Sequence, residues 1–171
     1  MKKIKQIVTI FAALALAVTA GLSFAGTKTK AAGSDEFTRT AIEIAADMGY
    51  GWNLGNTMEA TNTWTSNPKV TDFETAWGQP VTTKAMIDGI KKAGFNSIRI
   101  PVSWSNMMSS DGNYIIDASY FKRVDEIISY AFANDMYVII NDHYDGGWWE
   151  HFCGNKRDCM KHYKNMWTQV A

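Results

Sequence analysis

The chain has little of several things. Of its 171 residues, two are cysteines, three are prolines and three are histidines. With Cys153 and Cys159 as the whole thiol complement, a disulfide-rich scaffold and a four-cysteine zinc site are excluded. A mixed site is disfavoured as well, because only His151 and His162 lie near the pair, so no metal is expected. Lysine plus arginine equal aspartate plus glutamate at 17 each, and formal net charge is zero. No basic cluster occurs beyond the first residues, which argues against a nucleic-acid partner. A glycine-rich phosphate loop is missing too. Gly51-Trp52-Asn53-Leu54-Gly55-Asn56 has the wrong spacing for a dinucleotide fingerprint, and a long loop follows it instead of a helix.

The one mostly apolar run, Ile7–Ala20, is short for a membrane span and lacks a stop-transfer pattern. Preceded by Lys2, Lys3 and Lys5 and followed by Ser23-Phe24-Ala25, it reads as an export signal over residues 1–25. A secreted protein is expected, with no stable membrane association after signal removal. Residues 26–37 are polar and Gly/Ala/Lys-rich, and read as a linker. Residues 38–171 then form the folded part, enough for one ordinary domain. In an exported chain, Cys153 and Cys159 are spaced to close a small surface loop as a disulfide, with two free thiols as the alternative.

What the chain does have is tryptophan. Five of its seven (Trp52, Trp77, Trp104, Trp148 and Trp149) fall near strand ends or in loops. Core packing accounts for most aromatics, but flat rings in polar surroundings also stack on sugar faces. Helical spacing covers Thr38–Met48 and Asp117–Asn134, and a helix capped by Thr82 or Thr83 runs to Ala93, with Gly94 ending it. A further helix is expected from near Met160 to the chain end. Strands are expected at Tyr50–Leu54, Phe95–Val102 and Tyr137–Asn141, and the stretch holding Pro68 and Pro80 reads as loop. Strand, loop and helix recur three times, which implies parallel strands with right-handed crossovers.

Polar residues stand at the three strand ends: Asn53, Arg99 and His143. Arg99 sits in Gly94–Trp104 (GFNSIRIPVSW), where alternation puts Ile98, Ile100 and Val102 on one face and Ser97, Arg99 and Pro101 on the other. A guanidinium does not lose its proton, so burying it requires an anion or several acceptors. Sites in parallel α/β folds form at the carboxyl ends of strands, and all three residues fall on that rim. His143 shares a face with Asn141 and Ile139, whereas His151 and His162 read as structural or solvated. Of the nearby carboxylates, Glu59 suits a hydroxyl-binding role, Asp142 points towards the helices, and Asp145 and Glu150 read as solvated loop charges. None stands beside a partner in the paired arrangement that glycosidic hydrolysis needs.

GWNLGNTMEA (51–60), ETAWGQP (74–80), GFNSIRIPVSW (94–104) and YVIINDHYDG (137–146) together resemble glycoside hydrolase family five, most closely its bacterial endo-β-1,4-glucanases. The resemblance covers nearly all of residues 39–171. It implies an α/β fold, a (β/α)8 TIM barrel of which this chain holds about the first three units. It further implies a retaining mechanism with two glutamates, an acid/base ending strand four and a nucleophile ending strand seven. Both would lie beyond Ala171, so the 171 residues alone should be inactive. Arg99 matches the arginine that keeps the nucleophile ionised, and in their absence it should be unpartnered and solvated. His143 matches a histidine that binds a sugar hydroxyl, and Asn56 and Glu59 match cleft-lining positions. Tyr144 replaces the second of two adjacent histidines found in many relatives and could contact substrate. Asp142 stands where relatives usually carry an apolar residue or Trp. The implied partner is a β-glucan polysaccharide, with no cofactor; oligomeric state is left open. Mannanase, xylanase, lichenase and xyloglucanase activities share the family, and a non-catalytic carbohydrate-binding protein is the rival from another class.

Overall fold

The computed structural model describes residues 39–171, so the signal and linker expected over residues 1–37 lie outside the described residues. Eight elements follow one another: α1 (Ala41–Met48), β1 (Gly51–Asn53), α2 (Val70–Glu74), α3 (Lys84–Lys92), β2 (Ser97–Val102), α4 (Ala118–Phe132), β3 (Tyr137–Asp142) and α5 (Lys156–Val170). Short 3-10 turns at Trp104–Met107 and Asp145–His151 lead out of β2 and β3.

Side-chain chemistry sets the helix starts. Thr40 and Glu43 cap one another reciprocally, which moves the start of α1 inward from Thr38 to Ala41. Thr83 and Asp117 accept backbone N–H groups of the first turns of α3 and α4. Two expectations need correction. The loop between Pro68 and Pro80 contains α2, whose first turn is closed by Asp72 accepting the Lys69 N–H at 2.7 Å. Helix α5 begins at Lys156, four residues before Met160, because its charged first turn carries no apolar periodicity to announce it.

The three strands form one parallel sheet in chain order. Asn53 pairs with Arg99, and β3 pairs with β2 along its length, Val102 opposite Asp142. The alternation read in β2 has a direct physical outcome. Ile98, Ile100 and Val102 are fully buried in one cluster with Ile87 of α3 and Val124, Ile127 and Ala131 of α4. Burying each such side chain contributes roughly 1.5–3 kcal/mol. The other face is more open: Ile139, which pairs with Arg99, is about two-fifths exposed.

Candidate active site

The register of the sheet pairs Asn53 with Arg99, and His143 follows directly on the last residue of β3. Arg99 is half-buried; its Nη1 donates to Asn53 Oδ1 at 2.7 Å and its Nη2 lies 3.0 Å from His143 Nδ1. A guanidinium only donates, so His143 Nδ1 must be the acceptor, which leaves Nε2 to carry the ring proton. The expectation of an unpartnered, solvated arginine is therefore corrected: neutral neighbours hold it in place. Among the described residues no carboxylate forms a salt bridge with Arg99.

Ser103 ties the strand ends to one another. Its hydroxyl donates to Glu59 O at 2.9 Å and reaches His143 O at 3.0 Å, while its N–H donates to Met58 O. Tyr120 of α4 reaches the same point, its hydroxyl donating to Met58 O at 2.6 Å, and burial pushes its pKa well up.

The loop after β1 folds around Glu59. Its carboxylate accepts the N–H of Asn56 at 2.6 Å and of Thr57 at 2.9 Å, and the residue is 5% exposed. A direct hydroxyl contact by Glu59 is thereby corrected to a positioning role: both oxygens serve the loop that presents Asn56. Asn56 itself is exposed in the left-handed region, at φ 62°. A Cβ at Gly55 would stand 2.7 Å from Asn53 Nδ2, so a larger residue there would push on the amide that accepts from Arg99.

After β3 the chain turns through four consecutive left-handed residues, Tyr144, Asp145, Gly146 and Gly147, with φ of 53°, 49°, 72° and 71°. Tyr144 is 57% exposed, and Trp149 Nε1 donates to its carbonyl at 3.1 Å. Asp145, expected as a solvated charge, is instead 2% exposed. It accepts the Ser105 N–H at 2.7 Å, the Ser105 hydroxyl at 2.8 Å and Trp148 Nε1 at 3.1 Å. Asp142 lies beside it, and burial together with the Asp145 charge raises its pKa far above the usual carboxylate range. Glu150 is exposed, as expected.

The remaining histidines and the cysteines do not join the rim. His151 is exposed; His162 is buried between the Tyr114 and Trp148 rings at 4.3 and 4.0 Å, with its pKa lowered by burial. The expected disulfide is absent: both thiols are free. Cys153 is exposed ahead of α5, while Cys159 is buried within it, its Sγ 3.4 Å from Trp148 O. Among the described residues no group of three or more His, Cys, Asp or Glu side chains could hold a metal ion.

Sequence reasoning missed one strong interaction. Glu74, fully buried, accepts Arg123 Nε at 3.0 Å, Arg123 Nη2 at 2.8 Å and the Thr82 N–H at 2.7 Å. This clamp fixes the long β1–β2 connection against α4, and the Glu74 carboxylate raises the Arg123 pKa further. Glu74 begins the ETAWGQP motif, but its partner lies 49 residues away, so no local pattern announces the pair.

Comparison with known proteins shows which family the chain belongs to. The family model described as cellulase (glycosyl hydrolase family 5) matches residues 58–171. Endoglucanase A of Paenibacillus barcinonensis is 42% identical over 166 residues, covering 94% of this chain and 40% of the relative. Endoglucanase A of Clostridium longisporum is 46% identical over 134 residues, 78% of this chain and 26% of the relative. A broad-specificity endoglucanase from Ruminococcus champanellensis, solved with bound cellotriose, superposes with a TM-score of 0.72 at 43% identity, over 77% of this chain and 38% of that chain. The chain thus spans less than half the length of each of these three proteins. It belongs to the cellulase family, glycosyl hydrolase family 5, and its three parallel strands are part of that family's (β/α)8 barrel.

Proposed function

We propose that this chain is the amino-terminal part of an exported endoglucanase that cleaves internal β-1,4-glucosidic bonds of cellulose or related β-glucans. Residues 1–25 serve as the signal, residues 26–37 as a linker, and residues 38–171 as the first part of the catalytic barrel. The observation that carries this reading is the Arg99–Asn53–His143 rim, a half-buried cation whose partners among the described residues are neutral groups. A binder of neutral sugars has little use for such a cation, whereas a carboxylate nucleophile needs one to stay ionised.

In a retaining mechanism one glutamic acid protonates the leaving oxygen while a second glutamate attacks the anomeric carbon. Water then releases the glycosyl-enzyme, with the first residue acting as base. In this reading both glutamates lie beyond Ala171. Arg99 faces the nucleophile, and the Nε2–H of His143 donates to a sugar hydroxyl at the cleavage site. Asn56 contacts the glucan from the β1 loop that Glu59 holds, and Tyr144 stacks against a sugar face or bonds to it.

Reducing-sugar release tests the proposal, with soluble cellulose derivative, mannan and xylan offered to the full-length protein and to the 171-residue chain. Hydrolysis is expected from the full-length protein alone, fastest on the β-1,4-glucan. Binding without hydrolysis by the full-length protein would make it a carbohydrate-binding protein instead. Hydrolysis by the 171-residue chain would refute the placement of the glutamates.

A further inference from the structure

The turn after β3 carries an arrangement that the proposed hydrolysis does not use. Asp145 is saturated from one side by Ser105 and Trp148, and from the other it meets the carboxyl of Asp142, the last residue of β3. The Oδ1 of Asp142 is buried with no hydrogen-bond partner. Two ionised carboxylates in contact repel one another, and a buried, unmet carboxylate oxygen adds a desolvation cost. A neutral acid at Asp142 removes the repulsion and supplies a donor that Asp145 can accept.

The surroundings offer no other remedy. From α5, His162 faces the cluster through Ser105 Oγ, 3.3 Å from its Nε2, and burial favours its neutral form. From α4, Tyr120 is held in its neutral phenol form by burial and by the nearby Asp145, Glu59 and Glu74. Among the described residues, no cation forms an ion pair with Asp142.

We infer that Asp142 and Asp145 share a single proton, and that this acid–carboxylate hydrogen bond fixes the left-handed turn Tyr144–Gly147 and so positions Tyr144. Two non-glycine residues in the left-handed region hold that conformation only when their surroundings enforce it. The Asp145 hydrogen bonds to Ser105 and Trp148 provide the enforcement, and the Asp142 proton keeps Asp145 seated there. A pocket of about 460 Å³ opens beside the turn, lined in part by Asn62, Ser105, Tyr144 and Gly146, so the turn shapes a recess. When the proton leaves to solvent at alkaline pH, the two carboxylates repel and the turn loosens. Asp142 is thus a positioning residue. Its effect on ligand binding rests on the glucanase reading above, but the shared proton does not.

The test compares the full-length protein with its Asp142→Asn variant, whose amide donates to Asp145 at every pH. Two quantities are read against pH: the affinity for cellotetraose by calorimetry, and the melting temperature. The wild type should lose affinity several-fold from neutral to alkaline pH, and the variant should not. The native state binds the Asp142 proton more tightly than the unfolded chain does. Its stabilisation is therefore complete below the ordinary aspartate pKa, about 3.9, and falls as pH rises towards the raised native pKa. The wild-type melting temperature should decline over that window relative to the variant. Superposable melting curves overturn the shared proton, whatever the sugar does. Divergent melting curves with the same alkaline loss of affinity in both proteins overturn the positioning of Tyr144. No cellotetraose binding at any pH overturns the glucanase reading and leaves the melting curves to decide the proton. If Asp142→Asn does not fold, the Asp142 carboxyl ¹³C shift of the wild type decides. Titration in the ordinary carboxylate range refutes the shared proton, and titration above it supports the shared proton.

Discussion

Midway along β2, a guanidinium stands among neutral groups; at the end of β3, two carboxyls stand with no cation beside them among the described residues. Arg99 cannot shed its charge, so the chain leaves it half-buried and surrounds it with acceptors, Asn53 Oδ1 and His143 Nδ1. Asp142 can shed its charge and is half-buried beside Asp145, where taking up a proton is the cheaper solution. The Glu74–Arg123 clamp beneath the sheet shows the third solution, in which a buried anion and cation satisfy one another directly. The contrast teaches what each site is for. The pair under the sheet is complete, and its chemistry is structural. Among the described residues, the cation on the rim has neutral partners, and it keeps its charge available to something that binds there.

Breaking the complete pair should have the largest effect. Glu74→Ala in the full-length protein leaves the Arg123 guanidinium without its buried partner, and denaturant unfolding should show a loss of about 3–5 kcal/mol. Replacing both residues by apolar ones, Glu74→Met with Arg123→Leu, should recover most of that loss, because the desolvation cost vanishes with the charges. A double variant as unstable as the single one would mean that the clamp acts through the Thr82 backbone contacts instead. Asp142→Asn should act in the opposite sense, raising stability at neutral and alkaline pH while changing little below the ordinary carboxylate range. Removing the cap of α3 by Thr83→Ala is the small control, expected at about 1 kcal/mol and independent of pH.

Much of the site was legible because the strand period is two. Alternation alone put Arg99 opposite Ile98 and Ile100, and the recurrence of polar residues at three strand ends put Asn53, Arg99 and His143 on one rim. The register pairs Asn53 with Arg99, which stands midway along β2, and His143 reaches Arg99 from just past the end of β3. Residues whose role depends on distant partners were not legible. Glu59 looks like a cleft residue in sequence, yet its carboxylate turns back on its own loop, a choice that local spacing leaves open. Asp145 looks like a loop charge because Gly146 and Gly147 follow it. Its burial comes from Ser105, 40 residues away. Cys153 and Cys159 have loop-closing spacing, but the early start of α5 carries Cys159 into a helix while Cys153 stays outside it. Asp142 had no account in the sequence because its partner sits on the same turn, on a backbone path that only left-handed residues allow.

The most direct measurement is kcat/KM of the full-length protein on a cello-oligosaccharide, before and after Arg99→Lys. Lysine keeps the charge, but one ammonium does not reproduce the guanidinium fork that spans Asn53 and His143 while facing a third group. Losing one hydrogen bond to a charged partner corresponds to about 1.5–3 kcal/mol, or roughly a 10- to 100-fold fall in kcat/KM, carried mainly by kcat. Hydrolysis at the wild-type rate by the lysine variant would contradict the account, because Arg99 would then be a structural cation with no part in the reaction.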